Sequence, residues 1–254
     1  MLDRFDLHRR VRAAGVHLLL SGMVAAICAA LVFLLWYPGP YRKLSGGGSL
    51  FLLVTTVDVI IGPLLTFAVF NPGKGWRHLR RDLAVIACLQ FAALGYGLHT
   101  VYQVRPVALV FEKDRFRVVS AANVYEPELG KGRREYDRLP LTGPWTLGAR
   151  PPREGAETTE AIFLALKGYD VAHRPIFWQP YDESKAEALR LARPLSVLIE
   201  HYPQGRVQVD ATLAELKLDP DTTKFLPLLA RVDAVVLLNE RGDVAGFAPF
   251  DGFF

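Results

Sequence analysis

Cysteine is nearly missing from this 254-residue chain: only Cys28 and Cys88 occur, and both fall inside long apolar runs. The remainder has no thiol, hence no disulfide framework and no CxxC pair for zinc or thiol redox work. Clusters of Cys and His, or of Asp and Glu, at metal-ligand spacing are missing as well. No G-x-S-x-G elbow, phosphate loop or dinucleotide fingerprint occurs. Ser184 and Ser196 lie in helix patterns, and His173 and His201 have no placed partners. Catalytic, cofactor and metal sites are therefore not expected, and the chain reads as a non-enzyme.

Net charge is small, +4, and unevenly spread. Residues 1–103 carry +6 and residues 104–254 carry −2. The positive charge sits at the ends of apolar runs rather than in a basic stripe interleaved with aromatics, so a nucleic-acid partner is excluded.

What the chain has is hydrophobic length. Three runs, 16–36, 50–70 and 83–104, are long enough to cross a bilayer, which takes about 20 apolar residues. They end at Tyr37-Pro38-Gly39-Pro40, at Asn71-Pro72-Gly73 and before Pro106, where proline and glycine stop a helix. A cleaved signal peptide is the competing reading of the first run, but no pair of small residues at A-x-A spacing follows it. Arg4, Arg9, Arg10 and Arg12 precede the first run, and Lys74, Arg77, Arg80 and Arg81 lie between the second and third. Only Arg42 and Lys43 lie between the first and second. Positive ends stay in the cytoplasm, so the amino terminus is expected there and the carboxyl half outside. Trp36, Tyr37, Tyr41 and Trp76 stand where interfacial aromatics are expected. Membrane lipid is thus an expected neighbour.

Gly22, Ala26 and Ala30 on the first run, and Ala84, Cys88 and Ala92 on the third, repeat small residues at the spacing that lets helices approach closely in lipid. Asp58 lies within the second run with no charge inside ten residues on either side. An aspartate near a span centre costs about 2.5–3.5 kcal/mol, so it is expected to face the bundle interior or a polar cavity, or to be protonated. Thr55, Asp58, Gly62 and Thr66 fall on one narrow polar and small stripe, the candidate helix-contact face. Pro63 within it frees a carbonyl near Val59 that needs a partner. Asp82 is too distant along the membrane normal, by about 20 Å at 1.5 Å per residue, to form a carboxylate dyad with Asp58. His17 and His99 read as interfacial.

After Pro106 the chain reads as a small α+β domain. Strands are expected at 107–111 and 115–119, an irregular surface stretch at 126–155, and helices from Thr158, from a cap at Asp182, from Pro194, and from a cap at Asp210. Strands follow at 226–231, 234–238 and 243–249, the last two joined by a turn at Asn239-Glu240-Arg241-Gly242. Phe177, Trp178 and Tyr181 read as core. The fold class is thus a three-helix transmembrane domain, 1–105, followed by an extracytoplasmic α+β domain, 106–254.

Several segments together resemble the TfpX/TfpZ type IV pilin accessory proteins. They are Leu35-Trp36-Tyr37-Pro38-Gly39-Pro40, Val57-Asp58-Val59-Ile60-Ile61-Gly62-Pro63-Leu64-Leu65-Thr66, Phe70-Asn71-Pro72-Gly73-Lys74, Asp82-Leu83-Ala84-Val85-Ile86, Tyr102-Gln103-Val104-Arg105-Pro106, Phe111-Glu112-Lys113-Asp114-Arg115-Phe116, Leu226-Pro227-Leu228 and Gly246-Phe247-Ala248-Pro249-Phe250-Asp251. The resemblance spans essentially the whole chain. It implies a bacterial inner-membrane partner of type IV pilin, with a periplasmic carboxyl domain, that supports pilin stability and pilus assembly, and it carries over no catalytic residue. The alternatives are a membrane-anchored enzyme, which would need paired titratable groups, and an envelope sensor, which would need a cytoplasmic output domain.

Overall fold

A computed structural model of the chain describes residues 4–71, 73 and 75–254, with side chains described from residue 7 onward. Pro72, Lys74 and the Arg4 side chain, used above for a helix stop and for charge, lie outside the described residues. Contacts divide the chain into two units, residues 1–35 with 47–103 and residues 36–46 with 104–254.

The first unit is helical. Helix α1, Arg4–Ala30, passes into a π-helical turn at Leu31–Trp36. A short helix α2, Tyr41–Leu44, belongs to the second unit. Helix α3, Gly47–Thr56, runs through a π-helical segment, Val57–Ile61, into α4, Gly62–Val69. Helix α5 spans Trp76–Gln103. Three helices are thus long and apolar enough to cross a membrane, Leu7–Trp36, Gly47–Val69 and Trp76–Gln103. The first and third begin earlier than the hydropathy suggests. Arginine is a good helix former, and its stem lies along apolar surface while its head reaches water, so helix outlasts hydropathy at a basic end.

The second span is the one both others pack on. Helix α1 lies along α4 and the π segment, while α5 lies along α3 and α4. Glycine makes the α5 contact close: a Cβ on Gly97 would sit 2.4 Å from a Val54 methyl, and one on Gly62 would sit 2.0 Å from the Gln90 amide nitrogen. The small-residue rows do not serve this purpose. Ala26, Ala30, Ala84, Cys88 and Ala92 are exposed on the isolated unit, and a Cβ on Gly22 would meet nothing.

The second unit is a mixed sheet with helices on both faces. Its strands are β1 Pro106–Glu112, β2 Arg115–Ser120, β3 Trp145–Ala149, β4 Trp178–Pro180, β5 Arg193–Pro194, β6 Lys224–Leu229, β7 Ala234–Leu238 and β8 Val244–Ala248. They run in the order β4-β3-β1-β2-β6-β7-β8, with β5 paired to β6. Hairpin β1–β2 is antiparallel, and each of its strands takes a parallel neighbour, β3 and β6. Strands from both ends of the domain therefore meet in one sheet.

Helices α6 Ala156–Leu166, α7 Lys185–Leu191, α8 Leu195–His201 and α9 Arg206–Leu216 complete the unit. Leu109, Phe111, Leu226, Leu228, Val236 and Leu238 pack on one face with Ala188 of α7 and Leu44 of α2. The alternate residues Phe225, Val235 and Leu237 pack on the other with α8 and α9. Strands β1 and β7 are buried along their whole length, as a sheet covered on both faces requires.

Four expectations change here. The stretch 126–155 is not simply irregular: it holds β3, and its Tyr136 is buried beside Trp178. Fully buried Arg174 bonds Glu128 through its Nε at 2.9 Å and lies over the Phe177 ring, which pins that stretch down. Asp182 and Asp210 cap nothing. The first pairs with Lys185 at 2.5 Å and the second lies within α9, 3.8 Å from Arg206. Tyr37 and Tyr41 are not left to an aromatic belt: Tyr37 is fully buried and Tyr41 meets Phe247 edge-on at 5.8 Å, because residues 36–46 pack with the sheet unit. The peptide N–H of Arg231 donates to the Leu44 carbonyl at 2.9 Å and fastens that segment.

Candidate functional site: a groove in the helical unit

The four stripe residues separate into two roles. Thr66 and Asp58 are buried, at 2% and 9% exposure. With half-buried Thr55 they face a cavity of about 820 Å³. Gly62 turns instead toward α5 and admits the Gln90 side chain.

Pro63 explains what Gln90 is doing. In a π-helical register an amide bonds the carbonyl five residues before it, and the residue five after Asp58 is Pro63, which has no N–H. The Asp58 carbonyl is left without its helical donor, and the Gln90 Nε2 donates to it across the bundle at 3.1 Å. The freed carbonyl expected near Val59 is therefore satisfied one residue earlier, because the π turn shifts the register.

Other polar groups on this face are engaged too. The Thr55 hydroxyl donates to the Phe51 carbonyl at 2.9 Å. His17 Nδ1 and the Thr66 hydroxyl share a hydrogen bond of 2.5 Å, so His17 is a tie between the first two spans rather than an interfacial residue. His99 stays at the far end of α5, 2.9 Å from the Gln103 amide. The exception is the Asp58 carboxyl, whose Oδ1 is buried without a hydrogen-bond partner.

The cavity lies between the first and third spans, with the second as its floor. Val16, Leu20, Val24 and Ala25 form one wall, and Leu83, Ala87, Phe91 and Leu94 the other. Arg9, Arg12 and Trp76 stand at one end. Between Arg9 and Ala25 the α1 wall runs about 24 Å at 1.5 Å per residue, most of a hydrocarbon thickness of about 30 Å. Sequence reasoning singled out Asp58 but missed Gln90 and His17. The usable signal for Gln90 was an amide in the middle of an apolar span, opposite a proline-freed carbonyl.

Among the described residues no three His, Cys, Asp or Glu side chains gather as a metal site. In the sheet unit the charged groups tie elements together. Arg117 donates to Glu112 at 2.6 Å and to Asp170 at 2.8 Å, and Glu112 accepts the Ala172 N–H at 3.1 Å. Buried His173 is held below the usual imidazole range by desolvation, with a push in the same direction from Arg117.

The fimbrial assembly protein FimB family profile matches residues 5–46. Two relatives from Dichelobacter nodosus, the fimbrial assembly proteins of serogroups I and E1, are each 33% identical over 245 residues, covering 95% of this chain and 95% of the relative. A third, of serogroups C1 and C2, is 43% identical over 118 residues, 46% of this chain and 90% of the relative. No solved structure matches.

Proposed function

The chain belongs to the family of fimbrial assembly proteins, and from that premise we propose that it supports type IV pilin stability and pilus assembly as a non-enzymatic accessory of the bacterial inner membrane, in direct, chaperone-like contact with the membrane-held pilin. The observation that carries this reading is the open groove, a concavity along most of the hydrocarbon thickness whose floor holds an unsatisfied carboxyl oxygen. A helix bundle complete in itself would have no reason to keep either. The basic residues support an amino terminus in the cytoplasm and a sheet unit in the periplasm: Arg9, Arg10 and Arg12 lie in the first turns of the first span, and Arg77, Arg80 and Arg81 in those of the third.

Contact of this kind acts by mass action. A partner that binds only folded pilin, present at about 100 times its dissociation constant, adds about 2.7 kcal/mol and withdraws pilin from proteolysis. The test is deletion of the gene in a piliated strain, with pilin half-life and surface pili as readouts. Shortened half-life and lost pili, both restored by the full-length chain, are expected; an unchanged half-life with normal pili refutes the proposal.

A further inference from the structure

Building on that reading, we infer that the groove between the first and third spans is the seat of one transmembrane helix of the membrane-held pilin, which lays a single face against the second span and brings an uncharged hydrogen-bond donor to Oδ1 of Asp58.

Dimensions select the occupant. Drawn out over about 24 Å, the cavity is a trough open along its side, a section that takes one face of a helix. A lipid acyl chain would also fill that section, but it has nothing to offer an unpaired carboxyl oxygen in hydrocarbon, where an unsatisfied polar group costs several kcal/mol. Polar side chains of the cavity are held elsewhere, Gln90 on the Asp58 carbonyl, Thr55 on Phe51, and His17 with Thr66, and the Ser21 hydroxyl on the α1 wall is a further donor that the bundle itself offers. Oδ1 of Asp58 is nonetheless without a partner, and the occupant supplies its donor. It is uncharged, because a lysine or arginine at mid-span would carry its own insertion cost.

The mouth adds selectivity. Arg9 and Arg12 line the end that the proposed topology puts in the cytoplasm, where an ordinary transmembrane helix carries its own basic residues. Like charges there disfavour such helices, so the groove takes a helix whose cytoplasmic end is not basic.

The experiment places a photoreactive residue in the full-length chain, in membranes that contain pilin, at Ala25 or Ala87 on the two walls, at exposed Leu89 outside the groove, or at exposed Phe163 on α6. Pilin adducts from both wall positions, mapped to its apolar helix, with none from Leu89, are expected. Asp58→Leu should lower the wall adduct about 3- to 15-fold, the range that a buried interhelical hydrogen bond spans, while Asp58→Asn, which still accepts, stays within about 3-fold of the parent. The chain's own membrane level is measured alongside, and where Asp58→Leu lowers it the adduct per chain is read from Asp58→Ala, for which the same loss is expected.

Wall adducts only to lipid, or only to a second copy of the chain, overturn the inference. Equal adducts from Leu89 do the same, and an unchanged yield in Asp58→Leu removes the donor. A pilin adduct from Phe163 with none from the walls sinks the groove and leaves direct contact with pilin standing. No adduct from any position, together with an unaltered pilin half-life on deletion, overturns both.

Discussion

Replacing Gly62 by alanine tests the link between the π turn and the third span. The added Cβ would fall 2.0 Å from Gln90 Nε2 and 2.7 Å from its Cδ. The obstacle is the tip of a flexible side chain, so the amide swings aside and little is lost to steric strain. The loss is the bond to the Asp58 carbonyl, which then has no donor. Interhelical hydrogen bonds in bilayers average about 0.6 kcal/mol and reach about 1.7. Against this, alanine is favoured over glycine within a helix by about 0.5–1 kcal/mol. Gly62→Ala should therefore be close to neutral or destabilising by up to about 1 kcal/mol in the parent, and stabilising by about 0.5–1 kcal/mol once Gln90→Ala has removed both obstacle and bond. The sign changes with background. Unfolding of the full-length protein in mixed micelles, titrated with denaturing detergent, gives the coupling from a double-mutant cycle. Additivity to within about 0.5 kcal/mol would refute the proposed exchange. Pro63→Ala offers a separate check, since it gives residue 63 an N–H in reach of the Asp58 carbonyl and should make Gln90→Ala nearly harmless.

Three further outcomes concern the sheet unit. Arg174→Met leaves Glu128 buried without its cation and should cost about 3–5 kcal/mol, read as a fall in thermal midpoint, whereas the pair change Arg174→Met with Glu128→Leu should recover most of it; equal losses would show that the pair is not the cause. Tyr181→Phe removes the hydroxyl that donates to the Gly242 carbonyl at 2.7 Å, and should cost about 1–2 kcal/mol, chiefly as faster exchange of the turn between β7 and β8. His173 has a folded pKa below its unfolded value, so the unfolded chain takes the proton first. Its stabilising contribution is complete above about pH 7 and is lost as pH falls below the ordinary histidine value near 6.5. The thermal midpoint of His173→Gln should accordingly fall less steeply than the parent's between about pH 7 and 5; parallel profiles would refute this.

How much of this was legible beforehand follows from how local each signal is. The spans could be read because hydropathy adds up along one segment, and β7 matched residue for residue because Ala234-Val235-Val236-Leu237-Leu238 is a compact apolar run before an Asn-Gly-containing turn. Strand β3 could not. Its five residues follow a Pro- and Gly-rich stretch and become a strand only through parallel pairing with β1, a partner distant in sequence. Tyr37 illustrates a conflict between two sound rules: an aromatic just past a span suits a membrane interface, but here a domain core takes it. The caps at Asp182 and Asp210 failed because the helices begin elsewhere, α7 after Ser184 and α9 at Arg206, four residues before Asp210.

The site divides in the same way. Asp58 declared itself, since a lone carboxylate in an apolar run needs a reason. The groove did not, because its existence depends on which helices touch. With α1 on one flank of the second span and α5 on the other, the groove is the seam between them, and its lining is set by how three helices pack rather than by any one span. Arg9 and Arg12 come to its end near Trp76, whereas Arg10, one residue from Arg9, turns to the second span and donates to the Ala68 carbonyl at 3.4 Å.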